Sequence, residues 1–392
     1  MSPTLPPLAG KLATLKSSAI RDLLKLTTRA EVVSLAGGLP DAALMPRERI
    51  AAAADAALAG AGCLQYTESP GWGPLRDVLA ARESARLGRP VPVSEVFVTH
   101  GSQQALSLLA EVLLDPGALA VVEDPAYVGA LQVFRAAGAR IVAVPLDGEG
   151  MRVDALRELL ARGERPAVVH TVSNFHNPGG VTMSPRRRRE LAELAVAHGF
   201  WVIEDDPYGE LWFDEPTPEP VAMFSPTVIR LSSVSKILAP TLRVGWMVAP
   251  DAVCRAVELL KQGADLCGSA LTQQIATELL SDDAWLSAHV DRVRAAYGER
   301  AKALVHAVRT RFGDRITCTD ATGGMFVWAD FTDGTDTGAL LPRALEAGVA
   351  FVPGSAFAVG EGYRHSLRMC FTTSDAQTLE TAIDRLAQAH AG

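Results

Sequence analysis

The stretch SSVSKILAPTLRVGW, residues 232–246, decides how the whole 392-residue chain is read. An apolar run, VIRLSS (228–233), ends in hydroxyl residues and then in Lys236, with Arg243 seven positions further on. A lysine at the end of an apolar strand is poorly explained as a solvated surface charge. Desolvation and neighbouring positive charge lower an ammonium's pKa and expose the neutral amine, the form that condenses with a carbonyl. Ser233, Ser235 and Arg243 are suited to hold a phosphate, the hydroxyls as donors and the guanidinium as a fork.

Outward from that strand, short β-rich runs alternate with helical stretches: 96–100, 118–124, 140–146, 167–173, 200–206, 228–233 and 243–249. This alternation predicts an α/β fold with a mostly parallel seven-stranded sheet under helices. Ligands of such sheets bind beyond the carboxyl ends of the strands. The stretch from Ser184 begins S-P-R, a capping residue followed by proline at the first helical position. After about residue 290 a long helical segment leads to short strands around 323–331, 349–354 and 365–371, a smaller α+β unit. The expected organisation is an N-terminal arm over 1–40, packing on the small domain or a partner subunit. A large domain over 41–290 and a small one over 291–392 follow.

Four more segments bear on chemistry. In HGSQQAL (100–106) a strand passes through Gly101 into a helix, whose free N–H groups with Ser102 and Gln103 make an anion site. Tyr127 follows in EDPAY, where a lone tyrosine is ordinarily a core aromatic. SNFHNPGGVT (173–182) is a strong turn by composition alone. In VIEDDPYGEL (202–211) an apolar strand ends in acids, which in isolation reads as a cap or a solvated turn. Arg368 sits within the apolar strand HSLRMCF (365–371), and a buried arginine needs an anion, from a substrate or from a structural carboxylate.

In this order, and together with SLAGGLP (34–40) and LQYTESPGWGPLR (64–76), these segments resemble the fold type I pyridoxal 5′-phosphate (PLP) enzymes, specifically the class I/II aminotransferases. The resemblance spans nearly the whole chain. It implies PLP held as a Schiff base on Lys236, Asp205 of the D-x-x-Y pattern pairing with the pyridine nitrogen, and Tyr208 donating to the phenolic oxygen O3′. Asp206 competes for the first role but breaks the spacing. Asn177 is implied as a second donor to O3′, with Tyr127 stacking on the ring. Ser102, Gln103, Ser233, Ser235 and Arg243 are implied around the phosphate. Arg368, with Gly38, would hold the substrate α-carboxylate. Tyr66 matches a tyrosine that reaches the phosphate of the neighbouring subunit, which implies a homodimer with shared sites. The implied reaction is ping-pong amino transfer between an L-amino acid and a 2-oxo acid, with Lys236 moving the Cα proton.

Two positions depart from the family pattern: Thr241, where relatives usually carry glycine, and His176, where many carry glutamine. The N-terminal segment SSAIRDLLKLT (17–27) resembles the branch of 2-aminoadipate and broad-specificity aminotransferases. There an arginine, here Arg21, meets a distal carboxylate; an exposed helix arginine is the competing reading. Acidic, aromatic, branched and unusual biosynthetic amino acids all remain open as substrates. Decarboxylation, β-elimination or oxidation on the same fold is a second reading. A non-catalytic effector-binding domain of a regulator is a third, against which stands the lack of a basic helix-turn-helix segment ahead of the arm.

A net charge of −8 and a pI near 5.6 argue against nucleic acid as a partner. The dense basic run Arg186–Arg189 opens a helix rather than a tail. The five cysteines are widely spaced without a CxxC pair, so neither disulfides nor a metal site is expected, and a reducing cytoplasm fits. No secretion signal and no membrane-length apolar run is evident.

Overall fold

The computed structural model describes Pro6, residues 31–60 and residues 62–391; Arg21 lies outside them. Strand β1 (Val33–Ser34) opens the continuous part, and the large sheet follows. Its strands are β2 (Val96–Thr99), β3 (Leu119–Asp124), β4 (Arg140–Asp147), β5 (Gly150–Met151), β6 (Pro166–Thr171), β7 (Trp201–Asp205), β8 (Val228–Ser233) and β9 (Gly245–Val248). They lie in the order β2-β9-β8-β7-β6-β3-β4-β5. The run from β8 to β4 is parallel, while β9 runs antiparallel to both its neighbours. The seven sequence runs each hold one strand. The eighth, β5, is a two-residue return paired to the end of β4.

Alternation along the strands splits the core into two layers. Phe97, Val122, Val168, Ile203, Ile229 and Met247 face one side, against Leu106 and Leu109 of α1 (Ser102–Leu113), Phe134 of α2 (Val128–Ala136) and Val257 of a later helix. Val98, Val121, Val169, Val202 and Val228 face the other, over Leu191 and Ala195 of α3 (Pro185–His198). Both faces are therefore dry, as the near-continuous apolar strands require.

The helix α3 shows what the four arginines at its start do. Ser184 occupies the cap position with extended backbone and Pro185 follows, but the Ser184 hydroxyl makes no capping bond. Arg186 pairs with Glu190 at 2.6 Å on the surface, and Arg187 pairs with Asp147. Arg188 is fully buried and donates to Met183 O, Ser173 O and Asn174 Oδ1 at 2.6–2.9 Å. Arg189 lies over the Phe224 ring. The basic run is thus taken up by partners within the chain, and Arg188 alone pins the 173–183 segment from beneath.

Helix α4 (Asp251–Ala264), which supplies Val257, and a helix over Ala270–Ser281 precede the 30-residue α5 (Asp283–Phe312), which leads to the second sheet. That sheet comprises β10 (Ile316–Cys318), β11 (Phe326–Phe331), β13 (Val352–Pro353) and β14 (Ser366–Cys370), antiparallel in the order β10-β11-β14-β13. The two-residue β12 (Val349–Ala350) pairs with β1 instead. Helix α6 (Ala376–Ala391) packs along α5. Through β1, the segment that continues as Leu35-Ala36-Gly37-Gly38 is tied to this second sheet, with Leu35 N–H donating to Ala350 O and Cys370 N–H to Leu35 O. It thereby reaches the carboxyl ends of the large sheet.

Candidate active site

At those strand ends lies a cavity of about 310 Å³. Gly38, Ser102, Gln103, Tyr127, Asn177, Asp205, Tyr208, Ser233, Ser235, Lys236, Arg243 and Arg368 all line it. Residues more than 300 positions apart thus converge on one space. Tyr66 stands apart, 78% exposed and outside the cavity of its own chain.

Lys236 follows the end of β8, and its Nζ donates to Gly38 O at 2.9 Å. Burial, with the charges of Arg368 and Arg243 adding and Cys370 opposing, lowers its pKa to about 8. A substantial share of the amine is then neutral near physiological pH. Ser233 Oγ donates to Ser235 Oγ at 2.8 Å and accepts from Ser235 N–H, so the two hydroxyls turn together at the strand end.

Arg243 carries a positive φ of 51°, unusual for a side-chain-bearing residue. The short helical turn Pro240–Leu242, with Thr241 exposed, sets this conformation. The Arg243 guanidinium donates to His100 O at 2.8 Å. It also lies so close over Gly101 that a Cβ there would meet Nη2 at 2.8 Å, and Gly101 itself has φ +72°. A Cβ on Gly245 would meet the Gly101 backbone at 2.5 Å. Two glycines therefore allow the arginine, the hydroxyls and the amino end of α1 to share one small cradle, a geometry suited to a phosphate.

Opposite lies Asp205. Strand alternation separates it from Asp206: Asp205 faces the cavity, whereas Asp206 points to the other side and meets Arg230 Nη1 at 2.8 Å. Burial pushes the Asp206 carboxyl up, but Arg230 and Arg86 outweigh it and hold it below the usual value. Asp205 is 3% exposed, and its Oδ1 has no hydrogen-bond partner among the described residues. A buried carboxylate oxygen facing the cavity calls for a donor such as a protonated ring nitrogen. His170 Nε2 lies 3.7 Å from its other oxygen. The residues present fit PLP: an amine, a phosphate cradle and an unmatched acid line one space.

Arg368 is central in the second sheet, with Trp328 and Val352 as cross-strand neighbours. Its guanidinium lies 4.2 Å from the Phe326 ring centre and 5.0 Å from that of Phe357. Nη1 donates to Asn177 Oδ1 at 2.8 Å and Nη2 to Ala36 O at 2.7 Å, while no carboxylate among the described residues pairs with it. Burial lowers its pKa to about 10, still far above neutrality. An unpaired guanidinium between two aromatic faces is a receptor for an anion.

Asn177 lies at the start of the N-P-G-G turn, with its amide oxygen committed to Arg368. Tyr208 is 5% exposed, and burial, then Tyr127 and Asp205, raise its phenol well above the ordinary value. Tyr127 donates to Gln103 Oε1 at 3.0 Å, and burial raises its phenol too. Both phenols therefore stay protonated as donors. Val172, Pro207, Pro240 and Phe326 also line the cavity. Sequence reading missed them because an apolar residue in or beside a strand carries no mark that separates cavity wall from core.

An open, mostly parallel sheet whose strand ends gather a buried lysine, an unmatched acid, a phosphate cradle and an arginine from a second sheet defines the fold type I class of PLP enzymes. Residues 30–386 match the family model for aminotransferases of class I and II, and the chain belongs to that family. It is a PLP-dependent aminotransferase. It is 41% identical to a 2-aminoadipate transaminase of Thermus thermophilus, over 98% of this chain and 96% of that protein. It is 38% identical to aromatic-amino-acid aminotransferase 1 of Thermococcus litoralis, over 95% and 91% of the two chains. The crystal structure of Pyrococcus horikoshii kynurenine aminotransferase, in complex with PMP, superposes with a TM-score of 0.93 at 37% identity, over 97% and 96% of the chains.

Proposed function

We propose that this aminotransferase takes L-amino acids with long side chains as donors, 2-aminoadipate-like dicarboxylic acids first and aromatic ones second, and passes the amino group to a 2-oxo acid. The observation that carries the assignment of roles is Lys236 Nζ and the carboxylate-free guanidinium of Arg368 lining one cavity. The names of the two relatives above support the two substrate classes, and Phe326 and Tyr127 provide apolar wall for either.

When bound, the cofactor supplies a carbonyl to the amine and an electron sink for charge developing at Cα. Arg368 binds the α-carboxylate beside Gly38 and orients the Cα–H bond. The neutral share of the Lys236 amine would take the Cα proton and deliver it to the cofactor's C4′ carbon, across the imine nitrogen. Asp205 holds a proton at the ring nitrogen. Tyr208 and the Asn177 amide nitrogen would donate to the cofactor's phenolic oxygen, and Tyr127 would supply an aromatic wall for its ring. Ser102, Gln103, Ser233, Ser235 and Arg243 hold the phosphate.

Tyr66, exposed in its own chain, reaches the phosphate of a second copy in a homodimer with shared sites. An arm over 1–40 and domains over 41–290 and 291–392 are the proposed units. Arg21 is the proposed reader of a distal carboxylate, and the cytoplasm the proposed location. No helix among the described residues is long and apolar enough to cross a membrane.

The test adds single amino acids to the holoenzyme and follows conversion of the cofactor's visible absorbance to that of its amine form. Dicarboxylic and aromatic donors should convert it, with release of the matching 2-oxo acid. Exclusive release of ammonia or carbon dioxide from every productive substrate contradicts the reaction. Conversion by short donors alone contradicts the substrate class.

A further inference from the structure

We propose that His176 and Glu123 form a buried positioning pair that sets the amide of Asn177, an inference that rests on the role of Asn177 proposed above. His176 is wholly buried and Glu123 nearly so, and neither lines the cavity. The imidazole Nδ1 accepts from Gly179 N–H at 3.1 Å. A ring nitrogen that accepts carries no proton, so the proton of the neutral ring sits on Nε2. That nitrogen lies 3.0 Å from Glu123 Oε2, in direct contact with the carboxylate although its N–H is not aligned on the oxygen. The same carboxylate accepts from Thr171 Oγ1 at 2.6 Å and from Val172 N–H at 3.0 Å.

One carboxylate therefore joins three segments: the end of β3, four residues before Tyr127; the end of β6; and the turn that carries Asn177. The turn is closed by His176 N–H donating to Val181 O at 2.8 Å and Gly180 N–H donating to His176 O at 2.7 Å. Phe175, just before it, has φ +46°, a conformation held by its surroundings rather than by preference. Asn177 follows directly, its oxygen on Arg368 at 2.8 Å. Without the ring, Gly179 N–H and the Glu123 carboxylate each lose a buried partner, and the amide loses its fixed distance from Arg368. A glutamine at 176 offers the same acceptor and donor on one side chain. A leucine fills similar volume and offers neither.

The experiment compares holoenzymes carrying His176→Leu, His176→Gln and, as reference, Asn177→Ala, reading donor KM, kcat and the visible absorbance of the bound cofactor. His176→Leu should raise donor KM roughly tenfold and shift the absorbance in the direction seen for Asn177→Ala. His176→Gln should bring both back to within about twofold of wild type. A folded His176→Leu enzyme with unchanged KM and absorbance overturns the pair. If that variant does not fold, His176→Gln decides: values near wild type support the pair, and a roughly tenfold rise in KM overturns it. An Asn177→Ala enzyme with unchanged KM and absorbance overturns the role of Asn177 and the inference with it. A changed Asn177→Ala beside an unchanged His176→Leu overturns the inference alone.

Discussion

Lys236 and the two adjacent acids carry the sharpest predictions at the scale of single residues. With its pKa lowered to about 8, Lys236 in the apoprotein should capture the carbonyl cofactor about tenfold faster per pH unit up to that value, then level off. A rate that is flat from pH 7 to 9 contradicts the assignment. The same shift makes the apoprotein more stable as pH rises through about 8 toward the ordinary lysine value, because the unfolded chain keeps a proton the buried amine has lost. Asp205→Asn should cut kcat/KM at least about a hundredfold with little change in melting temperature. Asp206→Asn should instead destabilise by about 2 kcal/mol, because Arg230 keeps its pairing with Glu83 but loses the second buried carboxylate. Steady-state kinetics beside thermal melts separate the two neighbours, and the reverse pattern would mean that they had been interchanged.

Much at this scale was legible in the sequence. Lys236 at the end of an apolar strand and Arg368 within one are charges whose burial costs enough to require a reason, whereas Asp205 and Asn177 by themselves look like a cap and a turn and were read through the family resemblance. Phe326, whose ring centre lies 4.2 Å from the Arg368 guanidinium, looks like core, since aromatic residues in apolar strands are the rule.

Among elements, helix α3 makes the clearest case. Its four consecutive arginines look alike in sequence, yet Arg188 is fully buried on carbonyls of the 173–183 segment and Arg186 is solvated. Arg188→Ala should cost about 3 kcal/mol, read as a melting temperature lowered by several degrees. Arg188→Lys should recover little of it, since an ammonium lacks the planar fork. Arg186→Ala should stay within about 0.5 kcal/mol of wild type. Equal losses for Arg186 and Arg188 would contradict this division. The strands of the large sheet were legible because parallel strands buried on both faces must be apolar throughout. The two-residue pairs, β5 with β4 and β1 with β12, were not, because their existence depends on a distant partner rather than on local pattern.

For the whole molecule, the described chain folds back so that the Leu35–Gly38 segment and Arg368 on β14 meet strand ends of the large sheet. The order of motifs along the sequence carried this arrangement, although no single segment contains it. Tyr66 is the exception, exposed beside the equally exposed Leu64. The proposed dimer predicts that mixing Lys236→Ala with Tyr66→Ala protein restores activity, because a hybrid pair contains one site with neither substitution. Mixtures no more active than the sum of their components, under conditions of subunit exchange, contradict shared sites.

The central claim is that Lys236 is the cofactor's covalent anchor. Its most direct test is borohydride reduction of the holoenzyme, followed by proteolysis and peptide mass spectrometry. The account predicts a single phosphopyridoxyl-modified peptide bearing the adduct on Lys236, and none in Lys236→Ala. An adduct on any other lysine, or one that survives in Lys236→Ala, contradicts it.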